Sequence, residues 1–200
     1  MSIPARRRAQ AIALRRGGRH TLAVPLAPRL AARIAERPYP AFLTDPTQLT
    51  NGLNDLLEAV RPDGTAVTVA DHVTDPAHRE AALEATRRLR ATVRDDAVLI
   101  AVLPGLPDLV ETVKAFLEAG VDGIVLTGGI DAGQARTIGN VTRFHRAMAH
   151  VAGAGASGLP GAELVPLDAP APKEGLVLTE CGPEAQIPQV QDWLAAVRGG

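Results

Sequence analysis

Apolar and polar positions along the chain alternate between a helical period and short unbroken apolar runs, regularly enough to lay out an architecture. Residues 4–16 follow a helical pattern, and Gly17-Gly18 marks its stop. "TLAVPLA" (21–27) reads as a short strand, and "PRLAARIAER" (28–37) as a helix with Pro28 at its first position, where a missing N–H does no harm. "DPTQLTNGLNDLLEAV" (45–60) puts Leu49, Leu53, Leu56, Leu57 and Val60 on one helical face, with Asp45 placed to cap it. "GTAVTVA" (64–70) is a strand, and residues 76–93 form a charged amphipathic helix. "AVLIAVL" (97–103) is an uninterrupted apolar strand of the kind buried on both faces. "LPDLVETVKAFLEAG" (106–120) is a helix ended by Gly120, and "GIVLT" (123–127) is another buried strand. Residues 133–152 read as one helix, weakened by Gly139. A Gly/Ala-rich connector (153–162) follows, then "ELVPL" (163–167), "GLVLT" (175–179) and a last helix at 184–198.

Six strands alternating with helices predict parallel α/β structure. A TIM-type (β/α) barrel uses eight strands and about 250 residues, so a chain of 200 residues predicts a shortened or incomplete one. An open α/β sheet is the alternative. The linker "APAPKE" (169–174) bears on the choice. Its two prolines forbid a helix, and its extended reach is roughly 20 Å, the length of one strand. A straight return that keeps the last two strands parallel is expected, with an antiparallel pair as the other geometry.

Composition narrows the class. Hydrophobic residues make up 46% of the chain, but the aromatics are only Phe42, Phe116, Phe144, Tyr39 and Trp193, so the core is Ala, Val and Leu. The formal net charge is −1, which gives no bias toward nucleic acid. Residues 1–20 carry Arg6, Arg7, Arg8, Arg15, Arg16 and Arg19 and no acid, which suggests a basic, solvated N-terminal helix ahead of a single barrel-like domain at 21–200. A transit peptide or nucleic-acid arm is the other reading of that segment. The lone Cys181 excludes an internal disulfide and suits a reducing, cytoplasmic compartment. "AIAL" is too short for a signal-peptide core, and no apolar run reaches membrane-spanning length.

The candidate chemistry gathers at strand ends. "TAVTVADHVTDP" (65–76) stops abruptly on Asp71-His72. The other predicted strands end at Pro28-Arg29, Pro104-Gly105, Thr127-Gly128-Gly129, Asp168 and Glu180-Cys181. Parallel α/β folds place their ligands at these ends, and ionised side chains belong at a mouth rather than in a core. Asp71 and His72 are the candidate catalytic pair. Arg29, Thr127, Asp168, Glu180 and Cys181 are candidate substrate contacts. Helix caps and turns are the ordinary alternative for the aspartates, and a small buried hydrophobe for Cys181. "TGGID" (127–131) ahead of a helix suggests a phosphate-binding turn or simply a tight turn. No HExxH or CxxC occurs, and the only serines are Ser2 and Ser157, so zinc and serine chemistry are not expected.

Several phrases in chain order resemble the uroporphyrinogen decarboxylase superfamily. They are "AIALRRGGRHTLAVPLAPRLAARI", "FLTDPTQLTNGLNDLLEAVRPDGTAVTVADHV", "ATRRLRATVRDDAVLIAVLPGLP", "VKAFLEAGVDGIVLTGG" and "GLVLTECGPEAQIPQVQDWLAAVR". The resemblance implies a (β/α)8 barrel. One branch of the family decarboxylates the acetate arms of a porphyrinogen without a cofactor, and an acid after its second strand contacts pyrrole N–H groups; Asp71 holds that place. Another branch moves methyl groups from a corrinoid to a thiol using zinc, with a late cysteine as ligand; Cys181 holds that place. Two departures matter. The decarboxylases' arginine-rich first strand is missing, with Arg29 a loose counterpart, and the methyltransferases' His-x-Cys pair has no equivalent. The resemblance therefore implies a shortened relative with no cofactor and no metal, binding or acting on a carboxylated or methylated small molecule. A catalytically degenerate barrel serving as a partner subunit or ligand carrier is the alternative. Open sheet edges further suggest a homo-oligomer or a partner protein.

Overall fold

A computed structural model describes residues 3–13, 20–153, 158–169 and 174–199. Its centre is a ring of strands: β1 (Thr21–Leu26), β2 (Gly64–Thr68), β3 (Val98–Pro104), β4 (Gly123–Thr127), β5 (Met148–Ala152), β6 (Gly161–Leu164) and β7 (Gly175–Glu180). They lie in the order β1-β7-β6-β5-β4-β3-β2, and every registered pair is parallel. The two ends of that order meet. The Asp63 N–H donates to the Ala23 carbonyl at 3.2 Å, and the Ala23 N–H donates to Asp63 Oδ2 at 2.9 Å. The fold is a nearly closed α/β barrel of TIM type, with seven strands among the described residues. Near-closure removes the open edges on which the expected covering partner rested.

The helices are α1 (Ala5–Ala13), α2 (Pro28–Ile34), α3 (Tyr39–Thr44), α4 (Pro46–Val60), α5 (Ala70–Val73), α6 (Pro76–Val93), α7 (Leu109–Ala119), α8 (Ala132–Phe144) and α9 (Ile187–Gly199). Their starts follow local chemistry. Asp45 accepts from the Thr47 and Gln48 N–H groups at 2.8 and 3.1 Å, Asp75 from Ala77 at 2.8 Å, and Asp131 from Gln134 at 2.8 Å. Each carboxylate satisfies donors that a first turn leaves unpaired. Pro46 and Pro76 follow two of these caps directly. Gly120, at φ 107°, ends α7 in the left-handed region that glycine enters without strain.

Two cores result. Alternate residues of β3 face opposite ways: Val98, Ile100 and Val102 join the barrel interior, while Leu99, Ala101 and Leu103 pack outward under the helices. None of the six is more than 3% exposed, which is why the run carries no polar residue. The outer layer is filled by Leu53, Leu56, Leu89, Phe116 and Trp193. The inner one includes Ala5 and Ala9, so α1 plugs the N-terminal end of the barrel rather than standing in solvent. The Gly17-Gly18 stop lies outside the described residues.

Other boundaries depart from expectation. The helix predicted over 133–152 ends at Phe144, and β5 occupies its last five residues. The break is Arg146 at φ 56°, a left-handed residue that is not glycine. The helix expected over 28–37 stops at Ile34, and α3 lies between it and the helix expected at 45–60. The parallel return is present: Glu163 registers with Val177 and Leu164 with Leu178 on parallel strands. Residues 170–173 of its linker lie outside the described residues.

Candidate functional site

The C-terminal ends of the strands surround a cavity of about 260 Å³. Its floor is the top of the inner core, made by Leu26, Val102, Val125 and Leu178. Its rim carries Arg29, Tyr39, Asp71, His72, Thr127, Glu180 and Cys181. Six of the seven residues picked out as strand-end chemistry thus share one cavity. Asp168 does not: it lies exposed in the turn after β6 and does not line the cavity.

The local fold explains the positions. β2 carries a register shift between Ala66 and Thr68, an irregularity that re-aims the end of a strand. The chain then turns at once into α5, whose first turn holds Asp71 and His72. Arg29 sits in the first turn of α2, directly after β1. Glu180 ends β7, and the Cys181 N–H donates to the Leu26 carbonyl at 3.1 Å, which fixes the segment after β7 beside β1. Arg33 holds the same segment by donating to the Pro183 and Ala185 carbonyls.

The charges here are unpaired. Arg29 lies with its guanidinium carbon 4.2 Å from the centre of the Tyr39 ring, a cation–π arrangement, and makes no ion pair among the described residues. Asp71 and Glu180 are exposed and make none either. Burial pushes the Tyr39 phenol up to about 12, with Arg29 opposing and Asp71 reinforcing the shift. Its oxygen stands 3.4 and 3.3 Å from the two His72 nitrogens. Nearly equal distances mean that it faces the ring between them rather than along one lone pair.

His72 is half-buried. Burial lowers its pKa, His78 and Arg29 lower it further, and Asp71 opposes them. The imidazole is therefore neutral at pH 7. Thr127 donates to the Leu103 carbonyl at 3.5 Å, so its oxygen retains acceptor capacity toward the cavity.

Cys181 is buried, and burial pushes its thiol up to about 12. A protonated thiol is a poor metal ligand. No group of three or more His, Cys, Asp or Glu side chains among the described residues is placed to hold a metal ion. The residues present do not fit the zinc that one branch of the resembled family uses. "TGGID" resolves in the same way: the Asp131 carboxylate already caps α8, so that helix start does not present itself to a phosphate.

No protein-family model matches the chain, and no curated protein matches it. The likeness is structural. A solved methyltransferase from Methanosarcina mazei superposes with a TM-score of 0.66 at 12% sequence identity, over 99% of this chain and 99% of that one. It shares the barrel fold. No helix among the described residues is long and apolar enough to cross a membrane.

Tyr39 is the rim residue that sequence reading passed over. Its only signal is its position as the sole tyrosine, bracketed by Pro38 and Pro40.

Proposed function

We propose that the mouth binds a small carboxylated molecule and acts on it by a metal-independent, decarboxylase-like reaction. The observation that carries this reading is Arg29: a cation stacked on Tyr39 at the edge of an apolar-floored cavity, with no carboxylate paired to it among the described residues. A substrate carboxylate fits that vacancy, because paired guanidinium–carboxylate contacts are strong and directional. Asp71 and Glu180 face the same space and accept N–H or O–H donors of the substrate. The cavity volume lies just under the range typical of drug-sized ligands, so the ligand is one small ring or short chain, or a single arm of something larger.

In decarboxylation the bond from substrate carbon to carboxylate breaks, its electron pair stays on the carbon, and a proton arrives there as carbon dioxide leaves. His72 is the imidazole at the mouth, and we assign it that proton transfer: neutral at rest, it takes up a proton from solvent and passes it to the carbon, with Asp71 beside it favouring the charged form. Arg29 holds a second, non-reacting carboxylate.

A methyl-bearing substrate is the second reading, favoured by the printed name of the structural neighbour. It requires an acceptor brought by another molecule, since Cys181 is held as a thiol. The test is ¹³C NMR with carboxyl-labelled aryl diacetates and pyrrole dicarboxylates. Release of labelled carbon dioxide that is lost in His72→Gln supports decarboxylation. Binding without release, even at a large excess of protein, removes it and leaves a ligand carrier.

A further inference from the structure

A second cavity lies at the opposite end of the barrel, about 540 Å³ in volume. Ile12, Met148, Leu159 and Pro160 give it an apolar wall. His150 lines it too and is 5% exposed. On β5 it registers with Val125, an inner-core residue of β4, so its ring points into the barrel. Its Nδ1 is sealed from solvent with no hydrogen-bond partner, while Nε2, also unbonded among the described residues, is the nitrogen left to meet the cavity. Buried polar groups are nearly always paired, and an orphan calls for an explanation. Burial alone moves this imidazole down to about 4, so it is neutral at pH 7.

We propose that this cavity is a second ligand site, where His150 hydrogen-bonds a small uncharged molecule with an apolar body and one hydroxyl or carbonyl group. At Nε2 a neutral imidazole presents either an N–H or a lone pair according to its tautomer, enough for one carbonyl or one hydroxyl. Arg143, the charged side chain among the cavity's described lining residues, is exposed and donates to Asn140 Oδ1 at 3.2 Å. Among the described residues, an anion buried beside His150 would have no cation with it. The site shares no lining residue with the mouth.

Phenol and toluene test it, being the same ring with and without the hydroxyl. Titrated into ¹⁵N-histidine-labelled protein, phenol is expected to shift the His150 ring resonances saturably and to bind about fivefold tighter than toluene, the factor one net hydrogen bond supplies. His150→Leu abolishes the preference. Gly139→Leu blocks both probes by filling the cavity from α8, where an added Cβ meets only Leu159 Cδ2 at 3.4 Å. Unmoved His150 resonances, equal binding of the two probes, or phenol binding that survives Gly139→Leu but is lost in Arg29→Met would each overturn the proposal.

Discussion

The two ends of this barrel use charge in opposite ways. At the N-terminal end two aspartates, Asp63 and Asp122, each stand just before the glycine that starts a strand, and each is almost fully buried. Asp63 accepts from Arg8 at 2.6 Å, from Arg198 at 3.3 Å and from the Ala23 N–H. Asp122 accepts from Arg6 at 2.8 Å, from Arg90, and from the Leu99 N–H at 3.0 Å. Arg6 and Arg8 both come from α1, so these pairs clamp the plug helix onto the barrel. At the C-terminal end Arg29, Asp71 and Glu180 have no ion pair among the described residues, though they face one cavity. Charges that satisfy one another hold a fold together. Charges that converge without pairing are what the proposed ligand site rests on.

The largest effects are therefore expected at the N-terminal end. Asp122→Ala takes the shared carboxylate from Arg90 and Arg6, leaving Arg6 only Asp95 and Arg90 only backbone carbonyls, and orphans a buried N–H, and should destabilise by about 4 kcal/mol, read from urea unfolding. Burial pushes the Asp122 carboxyl up while Arg90, the Leu99 N–H and Arg6 pull it back, so the group depends on all three contacts. An effect below about 1 kcal/mol would break the contrast between the two ends.

The glycines beside these aspartates sharpen it. A Cβ on Gly64 would meet the Val98 carbonyl oxygen at 2.1 Å, and backbone cannot step aside. A Cβ on Gly123 meets the far end of Met148 at 3.1 Å, which can move. Gly64→Ala should cost about 3 kcal/mol or more and Gly123→Ala roughly 1 kcal/mol. Equal losses in thermal melts would contradict the geometry.

Acid should act through His150. Its folded pKa of about 4 lies below the ordinary value of 6.5. The unfolded chain therefore takes up a proton first as pH falls, and stability is lost between pH 6.5 and 4 while being fully present above that window. The shift corresponds to about 3 kcal/mol. His150→Leu should flatten that part of the stability–pH curve, and an unchanged slope would place the acid sensitivity elsewhere.

Much of this was legible in the sequence, and the exceptions have physical reasons. β4 (Gly123–Thr127) and α6 (Pro76–Val93) read cleanly because period, cap and breaker agree there. The mouth was legible because polar residues end apolar strands, and the parallel return of β7 was legible from the length of its linker. β5 was not: "MAHVA" holds one β-branched residue, its Met and Ala suit helices, and the break ahead of it rests on Arg146 rather than a glycine. Asp63 and Asp122 were invisible as clamps, since each partner lies far away in the chain. Asp168 was misplaced because β6 ends at Leu164, so the strand end expected at Asp168 falls in a turn beyond the rim.

The smallest stability effect belongs to the mouth. Arg29→Met removes an exposed charge with no ion pair among the described residues and only its cation–π contact to Tyr39, and should lower stability by about 0.5 kcal/mol. The same substitution is also the sharpest functional probe. Isothermal titration of wild-type protein and Arg29→Met with an arylacetate, each measured at low and high salt, tests the central claim that the unpaired charges form a carboxylate site. The expected result is saturable one-to-one binding that weakens tenfold or more in the variant, with most of its salt dependence gone. Equal affinity of the two proteins at both salt concentrations would contradict it.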